Sequence, residues 1–189
     1  MMRTLILIKH ASPQVIPGTP PETWKLSDQG RQACQRLAEA LRAHAPGVIV
    51  SSVEPKAVET GEIVAKALQI PSHTAPGLHE HDRSNVPHMR SSEFISLMEL
   101  FFRRPGELVL GEETANAAQN RFEQALKAVL DQYASTDTVA IVSHGTVIAI
   151  LLAKYSQKSA FHLWREWGLP SFAVVKIPEF EVGDMVPRM

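Results

Sequence analysis

"LILIKHASP", residues 5–13, is a run of branched apolar residues that stops at a lysine and a histidine. The run from Leu5 to Ile8 reads as a buried strand. Lysine is among the residues least often buried without a partner, so the end of this strand must open onto solvent, a partner charge or a bound anion. Two further segments end the same way. Val48-Ile49-Val50 runs into Ser51-Ser52, and Thr138 to Val142 runs into Ser143-His144-Gly145.

Helical patterns alternate with these strands. Ser27 is a helix N-cap with acidic Asp28 in the first turn, and Ala33, Leu37 and Leu41 hold one face until Pro46-Gly47 stops the helix. Pro55 suits the first turn of a second helix, in which Val53, Ala57, Val64 and Leu68 share a side. Ile70 to Ala75 reads as a short strand, and residues 76–90 are polar and irregular. Two helices follow, near Ser92 to Arg103 and from Thr114 to Tyr133. The second carries an apolar stripe of Ala118, Phe122, Ala125, Leu126, Val129 and Tyr133. Thr146 to Ala153 is apolar on every side and should be a buried helix; Ser171 to Ile177 is a last strand, and the tail from Pro178 has little periodicity. This alternation predicts an α/β sandwich, helices flanking a largely parallel sheet.

The chain's 189 residues suit one domain, residues 1–189, with 76–113 as an insertion. Its 19 basic and 20 acidic residues balance to a net charge of −1, so no whole-molecule field draws it to nucleic acid or an acidic membrane. Cys34 is the single cysteine, which excludes an internal disulfide and fits a reducing compartment. The N-terminal apolar run is too short for a signal peptide and no stretch is long enough to cross a bilayer, so the expected location is the cytoplasm.

Open α/β sheets bind ligands at the carboxyl ends of their strands. Were the three polar-ended strands neighbours, they would bring His10 and His144 together, with helix N-termini near Pro55 and Gly145 facing the same crevice. Lys9 and Lys56 would add positive charge. Two histidines in a cationic pocket suggest phosphoryl transfer, since a neutral imidazole nitrogen is a competent nucleophile and lysines and amides stabilise equatorial oxygens. Glu80 is the best-placed carboxyl to protonate a leaving alkoxide. Each residue also has a plainer role: a histidine at a strand end is more often structural, and Lys56 alone reads as a solvated helix residue. His79-Glu80-His81 could also hold a metal, although alternate residues give two ligands and no further set completes them.

Six segments, in order, resemble the histidine phosphatase superfamily, also called phosphoglycerate mutase-like. They are "LILIKHASP", "KLSDQGRQA", "SSVEPKAVETGEIVA", "GLHEHDR", "GEETANAAQNRF" and "VAIVSHGTVI". The resemblance covers residues 3 to 177 and implies a three-layer sandwich. It implies that His10 is the nucleophile of a phosphohistidine mechanism, that His144 binds the phosphoryl group and that Glu80 is the acid. No metal or cofactor is implied. Lys9 and Lys56 stand where the family usually has phosphate-clamping arginines, Gly145 follows the second histidine, Ala11 replaces a glycine and Gly61 an alanine.

Arginine grips two oxygens with a planar fork that lysine lacks, so Arg83 or Arg90, just beyond Glu80, are candidates to compensate. The expected function is a metal-independent phosphomonoester hydrolase acting on a small phosphorylated metabolite. A non-catalytic phosphate-ligand binder is the alternative, and a phosphoglycerate-type mutase is less favoured. Residues 81–113 would form most of a specificity lid, with Leu97, Leu100, Phe101 and Phe102 as an apolar wall or as core packing.

Overall fold

A computed structural model describes residues 2–87 and 89–189. Among these, six strands form one sheet: β1 (Arg3–Lys9), β2 (Val48–Ser51), β3 (Ser72–Thr74), β4 (Thr138–Ser143), β5 (Ser171–Ile177) and β6 (Glu181–Val186). Their order is β3-β2-β4-β1-β5-β6. The first four are parallel, whereas β5 pairs antiparallel with β1 and β6 antiparallel with β5. The sheet is therefore mixed.

Alternation along the strands divides the core in two. Ile6, Ile8, Ile49, Ala140 and Val142 face α1 (Asp28–Leu41) and α2 (Pro55–Leu68). Leu5, Leu7, Val48, Val50, Val139 and Ile141 face α4 (Ala115–Gln132) and α5 (Gly145–Tyr155). Both faces of the sheet are covered, which is why its central strands read as unbroken apolar runs rather than as alternation. Gly145 to Leu152 are buried throughout, as an all-round apolar helix requires. Ser27 caps α1, its Oγ accepting from the Gly30 amide at 3.0 Å. Gly30 itself lies against the chain beside the site: a Cβ there would sit 2.2 Å from the Ser12 carbonyl oxygen.

Three features depart from the sequence-based reading. Residues after Pro178 form β6, an edge strand with no fully buried residue, of which only Val182, Met185 and Val186 pack against the core. A seven-residue helix, α6 (Ala160–Glu166), lies between α5 and β5. On α2, Val53 does not join the buried side; it precedes the helix and is 53% exposed, while Lys56 is buried. α3 (Ser91–Arg103) packs through Phe94, Leu97, Met98, Phe101 and Phe102 on Trp164 of α6 and Ile150 of α5. The apolar residues of α3 are thus packed in a third core, with Leu100 exposed at 36%.

Candidate active site

The parallel register brings the polar strand ends level. Lys9 stands opposite Ser143 and Ser51 opposite Val142, so β4 sits between the other two strands. The chain leaves each strand into the same crevice, the His10 amide still bonded to the Ser143 carbonyl at 3.0 Å and the Ser52 amide to that of Val142 at 2.8 Å.

His10 is buried, and its Nδ1 lies 2.7 Å from the Ala11 carbonyl oxygen. A carbonyl can only accept, so Nδ1 carries the proton and Nε2 is left with its lone pair. The ring stays neutral: burial presses its pKa down to about 3, and the nearby Lys56 and Lys9 charges add to this against the Ala11 bond. Thr60 fixes the backbone beside it, its Oγ1 accepting from the Ala11 amide at 3.0 Å and donating to the Lys56 carbonyl at 2.7 Å.

His144 meets His10 edge to face, ring centroids 5.1 Å apart. It is wholly buried. Its Nε2 lies 2.9 Å from Ser52 Oγ and 3.3 Å from Glu54 Oε1, while Nδ1 has no hydrogen-bond partner among the described residues. A carboxylate at that distance favours an imidazolium, but complete burial with His10 and Lys56 nearby holds the pKa well below the usual histidine value. The neutral ring prevails.

Glu80 hangs from a loop anchored on α4. Arg121 donates to the carbonyls of Gly77 (2.8 Å), His79 (2.9 Å) and Glu80 (3.1 Å), and is itself bonded by Glu113. Ser143 Oγ holds the Leu78 carbonyl at 2.7 Å, tying the loop to β4. The Glu80 carboxylate accepts from the His81 amide (2.8 Å) and from the Thr146 amide in the first turn of α5 (3.1 Å), and Arg83 approaches it at 3.6 Å. Burial pushes this carboxyl up, yet Arg83 and the two amides outweigh it and the pKa falls below the ordinary glutamate value. The α5 N-terminus is therefore occupied by Glu80 in this structure.

Both lysines are engaged, Lys56 buried and Lys9 half-buried. Lys9 Nζ donates to the Trp167 carbonyl at 2.7 Å and lies against Gly145, where a Cβ would come within 3.2 Å of it. Burial lowers its pKa to about 8 despite Glu80. Lys56 Nζ donates to the Pro21 carbonyl at 2.8 Å and to Glu54 Oε2 at 2.6 Å. Nothing in the sequence pattern singles out Glu54. Its other oxygen accepts from the Glu80 amide at 2.8 Å, so one carboxylate touches the surroundings of three candidate site residues. Burial raises its pKa although Lys56 opposes this.

Of the two compensating arginines, Arg83 lines the crevice with Lys56 and Glu80, whereas Arg90 is exposed and pairs with Glu93 at the start of α3. His81 turns away, its Nε2 on the Glu113 carbonyl (2.9 Å) and its ring on Phe101. Among the described residues no three His, Cys, Asp or Glu side chains gather as a metal-holding group. A cavity of about 400 Å³ lies between Pro21-Glu22, the start of α2 and residues 79–84; Glu54, Lys56, Glu80 and Arg83 line it, whereas His10, His144 and Lys9 are not among its lining residues. A cavity of about 620 Å³ lies elsewhere, between α4 and Tyr155 and Phe180, away from both histidines.

The chain belongs to the histidine phosphatase superfamily, branch 1, whose family description matches residues 14–184. Solved structures of this fold include mycobacterial glucosyl-3-phosphoglycerate phosphatase, 17% identical over 100% of both chains with a TM-score of 0.76. YhfR of Bacillus stearothermophilus is 24% identical, covering 97% of this chain and 95% of its own, TM-score 0.75. The alpha-ribazole phosphatase of Shigella flexneri is 21% identical over 97% and 96%, TM-score 0.71. At these identities the likeness is one of fold. A search of curated proteins gave no match. No helix of the described residues is long and apolar enough to cross a membrane.

Proposed function

We propose that the protein is a cytoplasmic, metal-independent phosphomonoester hydrolase that works through phosphohistidine on a small phosphorylated metabolite. The observation that carries this reading is the state of His10: neutral, with Nδ1–H on the Ala11 carbonyl and Nε2 without a hydrogen-bond partner among the described residues. Such a nitrogen attacks phosphorus, the P–O bond to the alcohol breaks, and the alcohol leaves with a proton from Glu80. Water then attacks the phosphorus, gives its proton to Glu80 and releases phosphate from His10. His144, Lys56, Lys9 and the Gly145 end of α5 are the groups proposed to carry the charge of the transferred phosphoryl, with Arg83 as a further cation. Residues 76–113 would act as the lid that selects the alcohol.

Glu80 begins ionised. A phosphoryl dianion beside it would raise its proton affinity, so the acid form is expected only with substrate bound. One observation favours a second reading, a phosphate-ligand binder with weak or no turnover: both lysines are committed to protein partners.

Turnover of p-nitrophenyl phosphate after exhaustive chelation, with acid-quenching of the enzyme, tests the proposal. Activity should survive, and acid-labile phosphate should appear on the parent and vanish in His10→Ala. Undiminished turnover in His10→Ala would overturn the mechanism; tight phosphate binding without turnover would establish the second reading.

A further inference from the structure

We propose that Glu54 is a built-in occupant of the phosphoryl subsite, a carboxylate that holds Lys56 and faces His144 until an incoming oxyanion takes its place. The inference rests on the proposed phosphoryl site, because Lys56 and His144 are among its ligands. Glu54 Oε2 lies 2.6 Å from Lys56 Nζ, Oε1 lies 3.3 Å from His144 Nε2, and the Glu80 amide donates to Oε1 at 2.8 Å. A cation, a histidine nitrogen and a backbone amide converging on two oxygens form a site for an oxyanion. The side chain is only 8% exposed, so few solvent molecules share these contacts.

A tetrahedral dianion cannot simply be added. With Glu54 ionised it would meet a like charge in a poorly solvated crevice, a juxtaposition that costs several kcal/mol. The groups facing Glu54 are Lys56 on α2, His144 at the head of α5, and Glu80 with Arg83 on the loop; Glu22 lies at the rim. Glu80 adds further negative charge and Lys56 is the cation bonded to Glu54. Relief therefore comes by giving Glu54 a proton from solvent. Neutralising it leaves Lys56 and His144 to the ligand. Binding of a dianion should thus carry proton uptake and weaken as pH rises, which would make Glu54 a charge gate on occupancy of the site.

Tungstate is a suitable probe, being a tetrahedral dianion that does not itself titrate near neutrality. Calorimetry of its binding at pH 7.5, in buffers of different ionisation enthalpy, counts the protons taken up. The parent should take up a substantial fraction of one proton per tungstate. Glu54→Gln should take up measurably less than the parent, keeping only the share that Glu80 contributes, and bind roughly tenfold or more tightly, with Glu54→Ala following it. Parent binding without proton uptake, or weaker binding in both variants, would overturn the proposal, and the parent measurement stands even if a variant fails to fold. Proton uptake that Glu54→Gln diminishes, in a parent that does not hydrolyse aryl phosphates, would keep the gate and refute the phosphatase. Turnover with equal proton uptake in the parent and Glu54→Gln would do the reverse.

Discussion

Lys9 should cost the protein stability at neutral pH, and the size of that cost can be worked from its surroundings. Its ammonium is half-buried and bonded to the Trp167 carbonyl, and the loss of solvent around it lowers its pKa from 10.5 to about 8. Each tenfold change in proton affinity is worth about 1.4 kcal/mol, so holding the charge in the fold costs roughly 3 kcal/mol relative to the unfolded chain. The sign follows from proton counting. Between pH 8 and 10.5 the unfolded chain keeps the Lys9 proton that the folded chain has lost, so stability rises with pH across that window. About 2.5 kcal/mol of the gain should be in hand by pH 10.

Lys9→Met removes this dependence. At pH 7 the methionine variant should be more stable than the parent by about 1–2 kcal/mol, the relief of charge burial offset by leaving the Trp167 carbonyl without its donor. Urea unfolding at pH 7 and pH 10, with the same m-value in both proteins, measures the two differences. The advantage of Lys9→Met at pH 7 should vanish or reverse at pH 10. The Cys34 thiol, pushed up to about 11 by burial, works the other way, since its stabilising contribution as the bound proton is lost as pH rises, but it is common to both proteins and cancels. Parallel pH curves for parent and variant would refute the reasoning, because they would mean that Lys9 keeps its proton as readily folded as unfolded.

Glu80→Gln keeps the shape but cannot give a carboxylic proton; single-turnover phosphorylation by alkyl esters should fall about 10²-fold or more, while p-nitrophenyl phosphate, whose leaving group is stable as the anion, should change little. Equal losses for both esters would remove Glu80 from the acid role. Gly30→Ala should destabilise the fold by about 2–3 kcal/mol, because the added Cβ would stand 2.2 Å from the Ser12 carbonyl oxygen and must push apart α1 and the loop after His10; an unchanged urea midpoint would show that this contact gives way freely.

What the sequence made legible, and what it hid, divide on physical grounds. The buried strands β1, β2 and β4 and the helix α5 were readable because burial on both faces demands runs of apolar side chains whatever their neighbours are. β6 and α6 were not: one is an edge strand whose few core-facing residues, Val182, Met185 and Val186, are only partly buried and do not alternate regularly, and the other has seven residues, fewer than two full periods of apolar spacing. The antiparallel β5 was readable as a strand but not in direction, since the core it meets is the same either way. In the crevice, His10, Ser52 and His144 were found because they follow directly from strand ends, and a strand end fixes where the next residue must lie.

Glu54 was missed for the opposite reason. It precedes Pro55 at the start of α2, where a carboxylate ordinarily belongs in solvent beside the positive end of the helix dipole. Only packing reveals that this helix end is closed over by Pro21 and the Glu80 loop, so that the carboxylate must find its partners indoors, and the partner within reach is Lys56. A tally of charged residue types therefore counts two lysines toward an anion site and overlooks the anion already there. The cationic character of such a crevice is set by which charges are paired within it, and that pairing is a property of the fold before it is a property of the motif.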